Sequence, residues 1–391
     1  MDKKKLLFVL PVARPGGAGS ALASLYNCLD LNKYSIDVFP MAYSSQESKD
    51  RLPYAANILR ENKLLAAFFG PIEEAEGYAK INFFMVKTAT KLLMKLGFNT
   101  TRSIYKRAIS NVESKKNYDI VVAFLEGATT HFTAFSACPN KIAWVHVDYN
   151  QYLPVGKSEL KLYEKYKRIV TVANYTTSVF VDRYPSLKSR TMSIHNPLDV
   201  ERVLEDSKAP LDDTRFIQDG LFSIISVGRI AAIKRFSSIP MVVAKIADLP
   251  FRWYIIGPDR DHEEYEKLCD NIKKYGLSEK VIILGPKLNP YPYFKAADLL
   301  VSTSRSEACP MIFNEARVLN LPIVSADYPA AFEFIENGVN GLISPFDDLH
   351  NAVKRLVTDK ALYESIKQKS VFSSIDNDEI VSKFDALIAN C

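Results

Sequence analysis

Two runs in the second half of the chain hold residue types that can do chemistry together. Ser306-Glu307-Ala308-Cys309-Pro310-Met311-Ile312-Phe313-Asn314-Glu315-Ala316 follows the apolar run Leu299 to Ser302, and Pro310 suits the first turn of a helix. That places Glu307 in a loop and Glu315 on the helix. Backbone N–H groups at such a helix start, around Cys309 and Met311, can receive a diphosphate. An ionised carboxylate only accepts hydrogen bonds, so Glu307 suits sugar hydroxyls and Glu315 a ribose diol. On spacing alone, a capping Glu307 and a solvent-facing Glu315 is the simpler account. The second run, Val227-Gly228-Arg229-Ile230-Ala231-Ala232-Ile233-Lys234-Arg235, sets cations in a loop behind a buried strand. Arg229 can fork two phosphate oxygens and Lys234 can add a point charge to a departing diphosphate; a solvated basic loop is the alternative.

These runs need a scaffold of alternating strands and helices. In the first half, Leu6 to Val12, Ser35 to Pro40, Ile120 to Phe124, Ile142 to His146 and Ile169 to Val172 read as buried strands, and Pro15-Gly16-Gly17-Ala18-Gly19 as a tight turn before a helix. The pattern restarts at Phe222 to Gly228 and continues through Trp253 to Ile256, Val281 to Leu284, Leu299 to Ser302 and Ile323 to Ser325, with helices such as Glu263 to Tyr275 between them. The expected class is α/β, with two doubly wound Rossmann-like sheets facing across a cleft that takes the ligand. The domains are expected at 1–200 and 201–375, joined through the polar stretch Asp199 to Asp219, with a last helix in 376–391 packing back toward the first domain.

A chain of 391 residues, 48% hydrophobic and 24% charged, is too long for one ordinary core. Five cysteines without Cys-x-x-Cys or zinc spacing read as reduced thiols. No signal-peptide cleavage region follows the first strand, and no run of about eighteen apolar residues occurs, so an unexported, cytoplasmic protein is expected. The net charge of +5 is unevenly spread: Lys80, Lys87, Lys91, Lys95, Arg102, Lys106, Arg107, Lys115 and Lys116 face only Glu113 within 80–116. A basic amphipathic helix there suits an anionic membrane surface, at roughly 1 kcal/mol per cation, or else is a core-facing helix with a solvated side. Nucleic acid is not expected, because no binding motif accompanies the patch. Asp259-Arg260-Asp261 imitates a metal motif, but helix N-capping is the simpler account, and no essential metal is expected.

The order of Gly228-Arg229 to Lys234, Ile256-Gly257, Leu284-Gly285, Ala297-Asp298, Glu307 and Glu315, then Pro322-Ile323-Val324, Glu333 and Asn337 to Leu342, resembles family 4 retaining glycosyltransferases of the GT-B fold, over about Phe222 to Pro345. The N-terminal resemblance is looser: Gly16-Gly17, Trp144-Val145-His146-Val147-Asp148 and Asn196-Pro197. Asn320 stands where that family commonly has glycine, and Pro329-Ala330-Ala331 replaces its Gly-Gly turn ahead of Glu333.

The resemblance implies transfer of a hexose or N-acetylhexosamine, with retention, from a nucleoside diphosphate donor to an acceptor hydroxyl. A UDP-sugar is the expected donor. Arg229 and Lys234 would hold the diphosphate, Glu307 the sugar, Glu315 the ribose, and the backbone from Leu284 to Pro286 the base. Gly17 would approach donor or acceptor, and His146 would lie beside the sugar unless it is a buried histidine bonded to backbone; His131, His195, His262 and His350 are read as structural or exposed. No cofactor beyond the nucleotide sugar is implied. The expected acceptor is a lipid-linked glycan of capsule, exopolysaccharide or related surface polymer, reached from the inner membrane face. A nucleotide-sugar epimerase and a catalytically silent partner subunit are the other classes; retention of Arg229, Lys234, Glu307 and Glu315 favours catalysis.

Overall fold

The computed structural model describes residues 3–11, 17–42, 57–60, 62, 65, 84–86, 88–89, 92, 100–151, 158–370 and 376–391. The chain divides into two units, Met1–Pro197 with Asp376–Cys391, and Leu198–Ile375.

The first unit is built on β1 (Lys4–Leu10), β2 (Tyr34–Pro40), β3 (Asn57–Ile58), β4 (Ile120–Ala123), β5 (Lys141–Val145), β6 (Arg168–Thr171) and β7 (Thr191–Ser193). They form one sheet in the order β3-β2-β1-β4-β5-β6-β7, and every pairing is parallel. Helices cover both faces of such a sheet, so its strands read as unbroken apolar runs rather than alternating ones; Ile120 to Ala123 are all at most 1% exposed. Leu7, Val9, Phe39, Val121 and Phe132 pack with the helix Thr100–Glu113 through Ile104, Tyr105, Ala108 and Ile109. Ala143, Val145, Tyr163, Ile169 and Phe180 fill a second cluster. The helix Asn377–Ala389 sets Phe384 edge-on to Tyr34 at 5.7 Å, and Asp385 accepts from Tyr34 Oη at 2.6 Å and Lys33 Nζ at 2.7 Å.

The second unit holds β8 (Phe222–Val227), β9 (Phe251–Ile256), β10 (Val281–Gly285), β11 (Leu299–Ser302), β12 (Ile323–Ala326) and β13 (Leu342–Ser344). This sheet is parallel throughout, in the order β10-β9-β8-β11-β12-β13. Buried Trp253 donates Nε1–H to Ser226 Oγ at 3.0 Å, and Ser226 Oγ donates to the Val301 carbonyl at 2.7 Å, which ties β9, β8 and β11 through one satisfied polar chain.

The sheet-forming runs lie where the apolar patterns put them, with differences at the margins. β3, β7 and β13 have two or three residues each, too few to carry a periodic signal. The helix after β1 begins at Gly17, so Gly17 and Gly19 lie in its first turn rather than in the turn before it. The stretch expected as a strand-poor join contains the helix Val200–Asp206, capped by Asp199 through a bond from the Arg202 N–H at 3.0 Å.

Candidate functional site

The second sheet changes direction between β8 and β11, the place where parallel α/β sheets open a crevice at the carboxyl ends of their strands. Glycines occupy three adjacent strand ends there. The Gly228 N–H bonds the Ile256 carbonyl and the Gly257 N–H the Gly285 carbonyl, each at 2.9 Å. Gly257 has φ +154°, and a Cβ there would fall 1.7 Å from the Gly228 carbonyl oxygen, so only glycine lets the two strand ends approach.

Beyond Gly228 the chain runs through exposed Arg229, whose side chain makes no hydrogen bond or ion pair among the described residues, to a short turn Ala232–Lys234. Lys234 folds back over Gly228, its Cε lying 3.3 Å from where a Cβ would stand. Two bonds pin this loop to the end of β11: Thr303 Oγ1 donates to the Lys234 carbonyl at 2.7 Å, and the Arg305 N–H to the Ile233 carbonyl at 2.8 Å. The result brings the Lys234 ammonium onto Glu307 Oε1, to which Ser304 Oγ also donates at 2.7 Å. Glu307 is therefore the partner of Lys234 and not a helix cap.

The helix Met311–Val318 starts after Pro310 with no side-chain cap. The Met311 and Ile312 N–H groups have no partner within the helix and lie at its positive end. Met311 packs with Leu198 and Val203, and half-buried Cys309 sits against the same cluster. Glu315 faces inward: Tyr291 Oη donates to its Oε1 at 3.3 Å, and burial pushes its carboxyl up to about 7, against the lowering effect of that bond. Burial likewise holds the Tyr291 hydroxyl well above the usual range.

At the end of edge strand β10 the Leu284 side chain is buried and its carbonyl is already taken. Arg215 donates to the Ile283 and Leu284 carbonyls at 3.0 and 2.9 Å while forking Asp213 at 2.9 and 2.6 Å. Within Leu284–Pro286 it is Pro286 that is exposed. Asp261 caps the helix His262–Lys274 through the Glu264 N–H, the capping role expected for the Asp259-Arg260-Asp261 run.

Gly17 and His146 lie in the first unit. Gly17 opens the helix Gly17–Cys28, and a Cβ there would meet nothing within 4 Å, so packing does not demand glycine. His146 follows β5; its backbone N–H bonds Glu126 Oε2 at 2.9 Å, its ring lies 4.7 Å from Phe124, and its buried Nε2 has no partner among the described residues. Burial lowers its pKa to about 3, so the ring is neutral. Glu126, whose carboxyl burial raises, follows β4 beside the direction change of the first sheet, between β1 and β4.

The sequence reading missed Glu126, Arg215 and Tyr291. Glu126 shares the pattern of Glu307, a carboxylate a few residues past a buried strand, and that pattern could have found it. Tyr291 and Arg215 carry no such mark, since each acts through another residue.

Of the basic stretch 80–116, Lys80, Lys87, Lys91 and Lys95 lie outside the described residues. Arg102, Lys106 and Arg107 project from the exposed side of the core-packed helix Thr100–Glu113, and Lys116 pairs with buried Asp37 at 3.0 Å. No helix among the described residues is long and apolar enough to cross a membrane.

Residues 211–370 match the family model described as glycosyl transferases group 1. An uncharacterized glycosyltransferase of Methanocaldococcus jannaschii is 29% identical over 43% of this chain and 41% of its own length. The amylovoran biosynthesis glycosyltransferase AmsD of Erwinia amylovora is 30% identical over 27% of this chain and 29% of its own. The chain thus spans less than half the length of these curated relatives. Among solved structures, Anabaena HepE in complex with UDP and glucose superposes with a TM-score of 0.75 at 17% identity, covering 99% of this chain and 100% of that one; TarM gives 0.71 at 13%, covering 98% of each. The parallel sheets and these neighbours make the fold GT-B, and within its second unit the match to the glycosyl transferases group 1 model covers residues 211–370.

Proposed function

We propose that the protein is a glycosyltransferase that moves a hexose or N-acetylhexosamine from a UDP-sugar to an acceptor hydroxyl, with retention at the anomeric carbon. The observation that carries this reading is the Lys234–Glu307 contact, set between exposed Arg229 and the uncapped start of Met311–Val318. Together these groups could offer two cations and helix-start N–H groups to a diphosphate, and a carboxylate to a sugar. The anomeric C–O bond to the phosphate breaks, the acceptor oxygen bonds that carbon on the same face, and the acceptor proton passes to the departing phosphate oxygen. Arg229, Lys234 and the helix start meet the charge that develops on that oxygen, as preorganised donors do in other transfer reactions. With these cations in place the reading needs no metal.

Glu307 would hold the sugar, Glu315 the ribose, and the exposed backbone at Pro286 the base. Gly17, with open space around it, and neutral His146 would serve the sugar and acceptor. The name of the relative in amylovoran biosynthesis supports a surface glycan as the acceptor; the further proposal is that this acceptor is lipid-linked and met at the inner membrane face.

Isothermal titration of UDP, GDP, ADP, CDP and their glucose and N-acetylglucosamine conjugates tests the donor. One nucleotide family binding saturably, and more weakly to Lys234→Ala, is the expected outcome. No binding tighter than about 1 mM, roughly 4 kcal/mol, would sink the reading in favour of a silent subunit; conversion of the sugar nucleotide without acceptor would favour an epimerase.

A further inference from the structure

We propose that Glu307 and the diphosphate compete for Lys234, so that the site favours a nucleotide bearing its sugar over the bare nucleoside diphosphate and helps to expel the latter after transfer. The inference rests on the donor reading above and deepens it.

In the free protein the two side chains are 16% and 17% exposed and in direct contact. Neither can easily leave. Lys234 is fixed at its backbone by Thr303 and lies in the notch above Gly228, and Glu307 is held by Ser304. The ammonium that would bind phosphate is therefore already neutralised, whereas Arg229 of the same loop makes no ion pair among the described residues. A bare diphosphate must draw Lys234 toward itself, leaving a half-buried carboxylate with Ser304 alone, and an underbonded charge in such a place is costly. A nucleotide sugar brings its own compensation: its hydroxyls donate to Glu307 as Lys234 turns to phosphate. Both existing contacts fall on Oε1, which leaves Oε2 open to meet the first hydroxyl before the pair separates. Once the sugar has moved to the acceptor that compensation is gone, Lys234 returns to Glu307, and the diphosphate loses its cation.

The test is titration of UDP and of UDP-glucose, or of the pair from the panel above that wild type binds, against wild type, Glu307→Gln, Lys234→Met and the double variant. Glutamine keeps the shape and the bond from Ser304 but not the charge. Glu307→Gln should bind the bare diphosphate about 10-fold more tightly while binding the sugar nucleotide no better, and stopped-flow should show slower release of the diphosphate. In the Lys234→Met background the gain should vanish, because competition for one cation is a coupling between the two side chains. Glu307→Ala reads the same gain should the amide variant fail to fold. Diphosphate affinity unchanged in Glu307→Gln, or a gain that persists undiminished without Lys234, overturns the proposal. Wild type that binds none of the panel defeats the donor reading instead, so the two failures are told apart.

Discussion

The two units share a plan, a parallel sheet with one change of direction, and differ in what stands at that point. In the second unit the strand ends beside β8 and β11 carry opposed charges in contact, Lys234 and Glu307, next to the uncapped start of Met311–Val318. In the first, the ends of β4 and β5 carry a carboxylate raised by burial, Glu126, and a histidine lowered by burial, His146. On the reading proposed above, the edge in the second unit meets the diphosphate, and the edge in the first, with its raised carboxyl and neutral ring, meets the hydroxyl-bearing partner. Similar topology thus leaves the chemistry open, and the strand-end residues decide it.

The sharpest way to break this comparison is to truncate one strand-end side chain on each edge in turn. Lys234→Ala should lower kcat for transfer about 10²-fold to 10³-fold, the scale of losing one preorganised donor to developing charge. His146→Ala should cost about 10-fold, since a neutral ring offers one hydrogen bond. Steady-state kinetics on both variants decides it; equal losses would erase the proposed division of labour.

Backbone closeness separates the units next. Gly257→Ala must push a methyl into the Gly228 carbonyl, and strain with overpacking should destabilise the second unit by about 3 kcal/mol. In a thermal scan its transition should fall by about 10 °C. An unchanged transition would mean that the glycine contact is not needed.

Protons sharpen the contrast further. Glu315, held at about 7, binds a diol through its ionised form, so donor affinity should fall as pH drops through 7, by about 10-fold per unit at most. Arg202 and Asp206 stand near Tyr291, the residue whose hydroxyl lowers that value. Tyr291→Phe removes the bond and should move the midpoint upward. His146, near 3, titrates nowhere in this window and should add no second step. Titration of the donor from pH 5.5 to 8.5 reads both; a flat profile would count against Glu315 as the ribose ligand.

The smallest effect belongs to Gly17→Ala. With nothing within 4 Å of a Cβ, stability should change by less than about 0.5 kcal/mol. A loss of transfer without a loss of melting temperature would therefore report a ligand, and no loss of either would remove Gly17 from the site.

The central strands could be anticipated because buried parallel strands announce themselves as apolar runs such as Phe222 to Val227 and Ile120 to Ala123. Edge strands of two or three residues could not. Glu307 and Lys234 stood out by type and by their positions after β11 and β8, but the contact between them needed the fold, as it joins residues 73 positions apart. The same holds for Tyr291 and Glu315. Spacing offered a solvent-facing Glu315, and packing of the segment around Leu198 and Val203 set a buried neighbourhood against it.

The last helix, Asn377–Ala389, completes the first unit although the whole second unit precedes it in the chain. On a ribosome, residues 198–375 emerge and can close their own core while the N-terminal sheet still lacks the helix that covers Tyr34 and Trp144. Domains generally fold as units during synthesis, N-terminal first. Here the order of completion is reversed: the half made first is finished last, and its uncovered aromatic face is the part of a nascent chain that most needs shielding.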